Sequence, residues 1–298
     1  AGASRAGRRG QMVKKYGDLY LSARKALRPG YGENAGVYAR ELLALASGKS
    51  VAALLSDREL YASEAIEEKL NDYLARALAG EPLAYILGEW SFYGLPFIVT
   101  PDVLIPRDDT MAVTELAIEA ARTYPAPQRV LDLCTGSGCI GLALAHSVES
   151  ARVTLAEISE PALRVAKQNT ANLRLKNRVT AFSVDVLQPA PKFLGQFDLI
   201  VSNPPYVTTK EMATLDVSVW AYEPHLALEG GEDGLDFYRA IVKNFNAALR
   251  PGGTICFEFG YGQETGVGEL LEAAGFTDVM FRKDLRGVTR AVAARKPE

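Results

Sequence analysis

The chain has 298 residues, 48% of them hydrophobic and 23% charged, with a formal net charge of −3. This length is sufficient for one large α/β domain and a smaller one, and the composition is that of an ordinary globular protein. The slightly acidic balance argues against a broad basic surface for nucleic acid, although it leaves room for a local basic patch.

Cysteine and histidine usage argues against disulfides and metal sites. The three cysteines, Cys134, Cys139 and Cys256, are odd in number and form no C-x-x-C pair, which favours a reducing cytoplasm. Only two histidines are present, so a histidine-based metal site is not expected. No apolar run approaches the roughly 20 residues that a bilayer-crossing helix needs. We therefore expect a cytoplasmic protein with no metal ion and no membrane partner.

The first part of the chain is predicted to be a helical domain. Residues 1–11, "AGASRAGRRGQ", lack an acid and an apolar stretch, so we interpret them as a leader or a cloning remnant. Over residues 12–84 the pattern is helical, and "SEAIEEKLNDYLARALAG" spaces its apolar residues three and four apart. Ser63 is a candidate N-cap there, and Gly80 a candidate stop. Three to five short helices predict a small bundle that docks a partner or closes over a site.

A hairpin and then an α/β domain are predicted after it. Residues 85–104 include "EWSFYGLPFIV", whose aromatic and β-branched residues around Gly94 indicate a β-hairpin linker. Over residues 105–298 strands alternate with helices, which predicts an α/β fold with a doubly wound, mostly parallel, seven-stranded sheet. The predicted strands are "RVLDLC", "RVTLAEI", "VTAFSVD", "FDLIVSN", "GTICFEFG", "TDVMFRKD" and "TRAVAAR". No helix separates the last two, which suggests an antiparallel edge.

A glycine-rich turn follows the first strand of this domain. "RVLDLCTGSGCIGLALA" runs from an apolar strand through G-x-G-x-x-G, residues 136–141, into a helix. Glu157 follows about 20 residues on, at the end of the next strand, where a ribose hydroxyl would lie. Taken alone, this pattern fits a dinucleotide enzyme, or a tight turn that binds nothing.

Two further acids favour a different nucleoside cofactor. Asp132 ends the first strand, where it would repel a diphosphate but attract the cationic methionine end of S-adenosyl-L-methionine. Asp185 ends the third strand, where it could accept from an adenine amino group. Together with Glu157, they place acids at three successive strand ends around the glycine turn. Residues 105–298 resemble the class I S-adenosylmethionine-dependent methyltransferases.

The fourth strand ends in "NPPY". Asn203 follows the strand at the edge of the sheet where ligands bind in α/β proteins. Its side-chain carbonyl and the backbone carbonyl of Pro204 could accept the two hydrogens of a planar amino group. Pro204 and Pro205 fix the backbone and contribute no competing N–H. Tyr206 offers a flat face on which an amide or a base could stack. This pattern predicts methyl transfer to an amide or base nitrogen, by orientation and hydrogen bonding.

Longer stretches resemble one family. "EWSFYGLPFIVTPDVLIPR", "DLCTGSG", "VSNPPYV", "YEPHLALEGGEDGLDFYR" and "LRPGGTICFEFGYGQ" are similar to the protein-(glutamine-N5) methyltransferases that modify peptide chain release factors. The resemblance implies transfer to the glutamine of the Gly-Gly-Gln motif in class 1 release factors, with S-adenosyl-L-homocysteine as product. It implies a helical domain that helps to engage the release factor. The implied cofactor contacts are Cys134, Thr135, Gly136, Ser137, Gly138, Glu157, Asp185 and Val186, and Asn203 is expected to contact the cofactor as well. Those for the glutamine are Asn203, Pro204, Pro205 and Tyr206.

The chain departs from the family pattern in two places. The usual "IPRPET-E" reads "IPRDDTM", so that Asp108 replaces a proline and Met111 replaces an acid. The acid after the second strand is commonly Asp, whereas Glu157 is one methylene longer. Nearby, we expect Glu223 and Pro224 to shape the mouth of the site. His225 is expected to be packed or bonded to solvent rather than to contact substrate.

Three other functions each fit part of the sequence. An adenine-N6 DNA or RNA methyltransferase uses a near-identical tetrapeptide on a flipped base, but it must bind a polyanion. The mildly acidic chain argues against direct nucleic-acid binding. A NAD-linked dehydrogenase rests on the glycine turn alone and leaves "NPPY" unexplained. A release-factor-binding module without catalysis would have no affinity for the cofactor.

Overall fold

The computed structural model describes residues 13–298. The chain divides into two compact units: the first ends at Leu87, and the second runs from Gly88 to Glu298. The predicted leader, residues 1–11, lies outside the described residues. The finer boundaries expected from sequence, at residues 84 and 104, stay predictions. Among the described helices, none combines the length and apolarity that a membrane crossing requires.

The first unit is built from five α-helices among its described residues. They are α1 (Tyr16–Tyr31), α2 (Ala35–Ser47), α3 (Val51–Ser56), α4 (Glu64–Leu78) and α5 (Leu83–Leu87). The hydroxyl of Ser50 caps α3 by accepting from the Ala53 N–H, at 3.1 Å. Ser63 precedes α4 as predicted, but its side chain makes no capping hydrogen bond. Buried leucines and alanines from these helices form a core within this unit.

The second unit contains a hairpin followed by alternating helices and strands. The hairpin strands are β1 (Glu89–Phe92) and β2 (Leu95–Ile98). The sheet strands are β3 (Arg129–Leu133), β4 (Arg152–Glu157), β5 (Val179–Ser183), β6 (Phe197–Ser202), β7 (Leu249–Glu258), β8 (Thr277–Lys283) and β9 (Thr289–Arg295). The helices are α6 (Met111–Arg122), α7 (Cys139–Ser147), α8 (Glu160–Asn172), α9 (Thr209–Met212), α10 (Val217–Trp220), α11 (Asp236–Phe245) and α12 (Glu264–Ala273).

The seven sheet strands are ordered β5-β4-β3-β6-β7-β9-β8. β5, β4, β3, β6 and β7 are parallel, whereas β9 runs antiparallel to both β7 and β8. The predicted mostly parallel, seven-stranded sheet is confirmed. The expected antiparallel edge is present too: the last two strands form it, with β9 lying between β7 and β8. Consecutive strands joined without a helix pair with each other, and β8 is thereby left outermost.

The two faces of the sheet carry separate cores. Alternate side chains of a strand point to opposite faces, so Val130 joins one cluster and Leu131 the other. Residues of α6, α7 and α8 cover the first face, and those of α11 and α12 cover the second. All six residues of β6 are buried, as expected for a central strand of a doubly wound sheet. The strand ends are therefore held firmly in the positions from which the site loops depart.

The predicted hairpin is present, with a two-residue turn. Tyr93 and Gly94 both have positive φ, at 52° and 74°, which is the backbone of a type I′ turn. β2 is hydrogen-bonded to α8 through Asn169, whose amide accepts from the Ile98 N–H at 2.7 Å and donates to the Ile98 carbonyl at 3.0 Å. Within this unit the hairpin is thus attached to the helix that follows β4.

Helix α6 was not among the predicted elements. It begins directly after a short 3-10 turn, Asp108–Thr110, and has no side-chain N-cap. The usual sequence signal for a helix start is therefore missing. Its small and branched residues, among them Val113 and Ala117, are buried against the sheet. The turn that precedes α6 contributes to the site.

Candidate active site

The loops after the parallel strands enclose a cavity of about 290 Å³. β3 pairs with both β4 and β6 in parallel register, so their carboxyl ends reach the same edge of the sheet. This volume lies near the lower end of the range of about 300–1,000 Å³ that is typical of ligand pockets. The predicted site residues in its wall are Cys134, Thr135, Gly136, Ser137, Glu157, Asp185, Val186, Asn203 and Pro205. Asp132, Gly138, Pro204 and Tyr206 are not part of the wall.

The glycine turn is shaped by positive φ angles and by close packing. Gly136 has a φ of 55°, in the region that favours glycine. It lines the cavity, and a Cβ atom built on it would have no other atom within 4 Å. Gly141, in the first turn of α7, is required for a different reason. A Cβ atom there would lie 2.5 Å from a methyl carbon of Leu155 and 2.9 Å from the Asp132 carboxylate. The turn is therefore held tightly against β4 by glycine while its outer side stays open.

Asp132 lies beneath the glycine turn rather than in the cavity wall. Its side chain is fully buried, and Oδ2 accepts from the Thr135 hydroxyl at 2.6 Å and from the Gly141 N–H at 2.9 Å. Oδ1 has no hydrogen-bond partner among the described residues. Burial raises the pKa of Asp132 to about 7, and the nearby Glu157 carboxylate adds to the rise. The geometry favours a role in holding the turn over the direct cofactor contact expected from the sequence.

Glu157 lies in the wall, and its carboxylate ties two loops together. Oε2 accepts from the Gly136 N–H at 2.9 Å, and Oε1 accepts from the Ser159 N–H at 3.0 Å. Its burial raises the pKa of the carboxyl, although the backbone N–H groups oppose that rise. A carboxylate oxygen accepts more than one hydrogen bond, so each still has a lone pair for a ligand hydroxyl.

The loop after β5 supplies one carboxylate and an apolar surface. Asp185 lies in the wall, and its Oδ1 accepts from the Leu187 N–H at 2.9 Å, which fixes the side chain across the loop. Val184 and Val186 are buried beside it and also line the cavity. An acceptor flanked by apolar side chains suits the edge and the face of a planar base.

The side chains of the turn itself are small and uncharged. Burial raises the pKa of the Cys134 thiol, so that this residue is a thiol rather than a thiolate nucleophile. Thr135 donates to Asp132, and Ser137 is buried with no hydrogen-bond partner for its hydroxyl among the described residues. The turn therefore presents backbone and hydroxyl groups, with no charge of its own.

Asn169, on α8, helps to hold the glycine turn in place, and the sequence analysis did not identify it. It is almost fully buried, and its Nδ2 donates to the Ser137 carbonyl at 2.9 Å in addition to its bonds with Ile98. One amide therefore connects the hairpin, α8 and the glycine turn. The only sequence signal for this role was a polar residue on the apolar stripe of a predicted helix.

Asn203 follows the last residue of β6 and lies in the cavity wall. Its Nδ2 donates to the Thr110 hydroxyl at 3.5 Å, and no described donor contacts its Oδ1. Pro204 is buried, and no described N–H donates to its carbonyl. The two acceptors predicted for a substrate amino group are therefore not occupied by the described part of the chain.

Tyr206 faces a buried glutamate instead of the cavity. Its ring packs against the second core cluster and the backbone at Gly260, and its hydroxyl donates to Glu258 Oε1 at 3.4 Å. Glu258 ends β7 with 1% of its surface exposed. Burial raises the pKa of the Tyr206 hydroxyl, so that it is a hydrogen-bond donor. The stacking role expected for Tyr206 stays a prediction, and its position behind the wall does not favour it.

The loop that precedes α6 joins the loop after β6 through an ion pair. Arg107 lines the cavity and pairs with Glu223, which is buried and also accepts from the Ile105 N–H at 3.2 Å. Pro224 lies in the wall beside this pair. His225 is exposed, and its Nε2 contacts the Trp220 carbonyl at 2.7 Å, outside the wall. Glu223 thus lies next to wall residues at the mouth of the site, and His225 lies away from the wall, as the sequence led us to expect.

The wall residues suit S-adenosyl-L-methionine better than a dinucleotide. The carboxylates of Glu157 and Asp185, with Asp132 beneath the turn, attract a sulfonium and repel a diphosphate. The buried Ser137 hydroxyl is free to pair with a polar group of a ligand. Among the described wall residues, Arg107 is the only lysine or arginine, and it is paired with Glu223.

Comparison with known proteins points to one family. The model described as "Methyltransferase small domain" matches residues 111–221, and "PrmC N-terminal domain" matches residues 18–88. The release factor glutamine methyltransferase of Bradyrhizobium diazoefficiens is 40% identical over 279 residues, covering 93% of this chain and 92% of its own length. The protein of the same name from Geobacter sulfurreducens is 45% identical over 224 residues, covering 74% and 76%.

A solved structure supports the fold. The catalytic domain of hMettl16, solved in complex with the MAT2A 3′UTR hairpin 6, is 18% identical and has a TM-score of 0.53. The match covers 68% of this chain and 76% of the hMettl16 chain. At 18% identity it supports only a shared fold. With 40% identity over nearly the whole of both sequences, this chain belongs to the release factor glutamine methyltransferases.

Proposed function

We propose that this protein transfers a methyl group to the side-chain amide N5 of the glutamine in the Gly-Gly-Gln motif of class 1 peptide chain release factors. The protein is an S-adenosylmethionine-dependent methyltransferase by family. The observation that carries the finer assignment is the 40% identity to a release factor glutamine methyltransferase over 93% of the chain, including the helical N-terminal unit. We assign that unit to engaging the release factor.

The cofactor would be held by the turn after β3 and by the acids after β4 and β5. S-adenosyl-L-methionine supplies an electrophilic methyl group on a cationic sulfur. Glu157 would accept from the ribose hydroxyls and Asp185 from the adenine amino group, with Val186 against the base. Asp132 would act from beneath, by holding Thr135 and the start of α7 in place. Buried acids in this region favour the cation over the neutral product.

Asn203 would make the glutamine nitrogen reactive by holding its two hydrogens. The lone pair of an amide nitrogen is delocalised, so N5 is a poor nucleophile. Asn203 Oδ1 and the Pro204 carbonyl are both free of described donors, and together they could accept both N–H groups. These bonds orient the nitrogen and strengthen as positive charge develops on it, which stabilises the transition state. On transfer, N5 would gain the methyl group as the S–CH₃ bond of the donor breaks with its electron pair left on sulfur, and N5 would release one of its two protons to solvent.

The test is methyl transfer to defined acceptors. Purified protein is incubated with labelled S-adenosyl-L-methionine and a class 1 release factor, a release factor with alanine for the motif glutamine, or duplex DNA. We expect label on the motif glutamine of the first acceptor only, located by peptide mass mapping. Label on adenine would instead establish a nucleic-acid methyltransferase, and label on a different glutamine would refute the assigned acceptor.

Asn203→Ala should abolish transfer while leaving cofactor binding measurable by calorimetry, because one substrate acceptor is lost but the cofactor acids remain. Asn177→Ala is the matched control, since Asn177 is an exposed asparagine that lies in the loop before β5. Retained turnover in the Asn203 variant would refute the acceptor role.

A further inference from the structure

The two acceptors proposed for the substrate lie on a segment with few hydrogen-bonding groups of its own. Asn203 Oδ1 and the Pro204 carbonyl must face the same nitrogen, so their geometry depends on the path of the backbone from Asn203 to Tyr206. Pro204 and Pro205 have no N–H, and neither can donate a backbone hydrogen bond that would hold this path in place. The segment therefore has to be fixed from the residues on either side of the two prolines.

Hydrogen bonds hold the segment at both ends. Ser202, the last residue of β6, is fully buried, and its hydroxyl donates to the Leu133 carbonyl at 2.7 Å. At the other end lies Gln263, the residue immediately before α12. Its Nε2 donates to the Tyr206 carbonyl at 3.0 Å, and its Oε1 accepts from the Gly260 N–H at 2.8 Å. One side chain thus joins the loop after β6 to the loop after β7.

The partners of Gln263 determine which way its amide points. A backbone carbonyl only accepts and a backbone N–H only donates, so a reversed amide would face both partners with the wrong group. The main chain of Gln263 is held as well. Its N–H donates to the Gly260 carbonyl at 3.2 Å, and its carbonyl accepts from the Val267 N–H at 3.0 Å. Both the backbone and the side-chain amide of Gln263 are therefore fixed.

Two glycines leave the space that this amide occupies. A Cβ atom at Gly234, in the loop before α11, would lie within 3.0 Å of both Gln263 Nε2 and the Tyr206 carbonyl oxygen. A Cβ atom at Gly260 would lie 3.0 Å from Gln263 Oε1 and 3.0 Å from a ring carbon of Tyr206. A larger residue at either position would push against the amide or its partner. The close approach of Gln263 to the acceptor segment thus depends on glycine on both sides.

We propose that Gln263 is a positioning residue, which anchors the Tyr206 carbonyl and thereby sets the direction of the two substrate acceptors. This inference rests on the proposed function of those acceptors, Asn203 Oδ1 and the Pro204 carbonyl. Gln263 is not part of the cavity wall, so it acts through the backbone and does not need to touch the methyl donor or the glutamine. A misplacement of about 1 Å at a reacting centre can lower a rate about 100-fold, which is why such an anchor matters.

The first test keeps the size of the side chain and removes its donor. In Gln263→Glu the carboxylate can still accept from Gly260, but it cannot donate to Tyr206. We expect kcat for release-factor methylation to fall about 10- to 100-fold, because loosened acceptors lose near-attack geometry. The affinity for S-adenosyl-L-methionine, measured by calorimetry, should be unchanged, because the cofactor acids lie on other loops. Equal kcat in Gln263→Glu and wild type would overturn the proposal.

Gln128→Glu is the matched control for a purely structural loss. Gln128 is a buried glutamine directly before β3, at the edge of the sheet opposite the cavity. Its Nε2 donates to the Tyr124 carbonyl at 3.0 Å, and its Oε1 accepts from the Ser150 hydroxyl at 2.7 Å. The variant should have a lower melting temperature but the kcat of the wild type, measured below the melting temperatures of all variants. A loss of kcat equal to that in Gln263→Glu would reduce the effect to stability and overturn the proposal.

The second test observes the hydrogen bond without turnover. Tyr206 and Val207 form the only Tyr-Val pair in the sequence. Labelling tyrosine with ¹³C at the carbonyl and valine with ¹⁵N therefore gives one correlated NMR signal, which reports on the Tyr206 carbonyl. A hydrogen bond to a carbonyl increases its ¹³C shift, so we expect a lower shift in Gln263→Leu than in the wild type, and no change in Gln128→Glu. An identical shift in the wild type and Gln263→Leu would overturn the proposal.

The two tests separate this inference from the proposed function. If the wild type methylates no release factor, the proposed function fails, and the carbonyl signal still decides whether Gln263 holds Tyr206. If the wild type is active and Gln263→Leu moves the signal without lowering kcat, the positioning role alone fails. A moved signal together with a lower kcat and an unchanged cofactor affinity is the result that supports the proposal.

Discussion

Glu258→Gln should change how the stability of the second unit depends on pH. Glu258 is almost fully buried, and its pKa rises from 4.5 to about 7, chiefly because burial disfavours the charged form. Between these values the folded protein holds a proton that the unfolded chain has lost. The free energy of unfolding therefore falls as pH rises through this window. Glutamine keeps the shape of the side chain and cannot titrate.

The expected size follows from this shift. A rise in pKa of this extent corresponds to about 3 kcal/mol, of which about 2.5 kcal/mol is lost on going from about pH 5 to about pH 8. Asp132 contributes a loss in the same direction, since burial raises its pKa to about 7 as well. Its neighbours do not include Glu258, so the variant should keep the share of Asp132. The wild-type pH dependence should exceed that of Glu258→Gln by about 2.5 kcal/mol.

Urea unfolding followed by tryptophan fluorescence measures this difference. The two tryptophans, Trp90 and Trp220, both lie in the second unit, so the signal reports on that unit. Glu269→Gln, at an exposed position of α12, is the matched control and should keep the wild-type pH dependence. Parallel curves for wild type and Glu258→Gln between these pH values would refute the assigned burial and its effect on Glu258.

Further outcomes are expected at the cofactor loop and behind the wall. Glu157→Ala should weaken S-adenosyl-L-methionine binding, because it removes a ligand acceptor and leaves two backbone N–H groups without their partner. Asp132→Ala should weaken binding indirectly, because Asp132 holds Thr135 and the glycine turn in place. Unchanged calorimetric affinity in either variant would contradict the corresponding prediction. Tyr206→Phe should keep more activity than Tyr206→Ala if the ring matters, whereas equal losses in kcat would point to the hydroxyl. Asn169→Leu should lower the free energy of unfolding by about 2–5 kcal/mol, since it leaves three backbone groups unpaired, and a melting temperature equal to the wild type would contradict this.

The local features of the site could be predicted from the sequence because each is written in consecutive residues. The apolar strand, the glycine turn and the helix start at Cys139 follow one another along the chain. The same is true of β6 and the tetrapeptide from Asn203 to Tyr206. In a parallel sheet all strand ends of one direction meet at one edge, so the approximate place of Glu157 and Asp185 followed as well.

Other features depend on where side chains turn, which spacing along the chain does not determine. Asp132 was expected at the cofactor, but hydrogen-bond donors from Thr135 and Gly141 hold it beneath the turn. Tyr206 was expected to stack on the substrate, but its hydroxyl donates to Glu258 at the end of β7. Buried polar groups take the partners that packing brings to them, and these partners lie on other elements.

The sequence by itself determined the alternation of strands and helices, the glycine turn after β3 and the Asn-Pro-Pro-Tyr segment after β6, because these depend on local periodicity and on the backbone restrictions of glycine and proline. Tertiary structure alone decided that β9 inserts beside β7, that Asn169 ties the hairpin to the turn, and that the Thr110 hydroxyl accepts from Asn203. The physical reason is distance along the chain. Thr110 and Asn203 are 93 residues apart, and no local pattern records a contact that exists only after the sheet has formed.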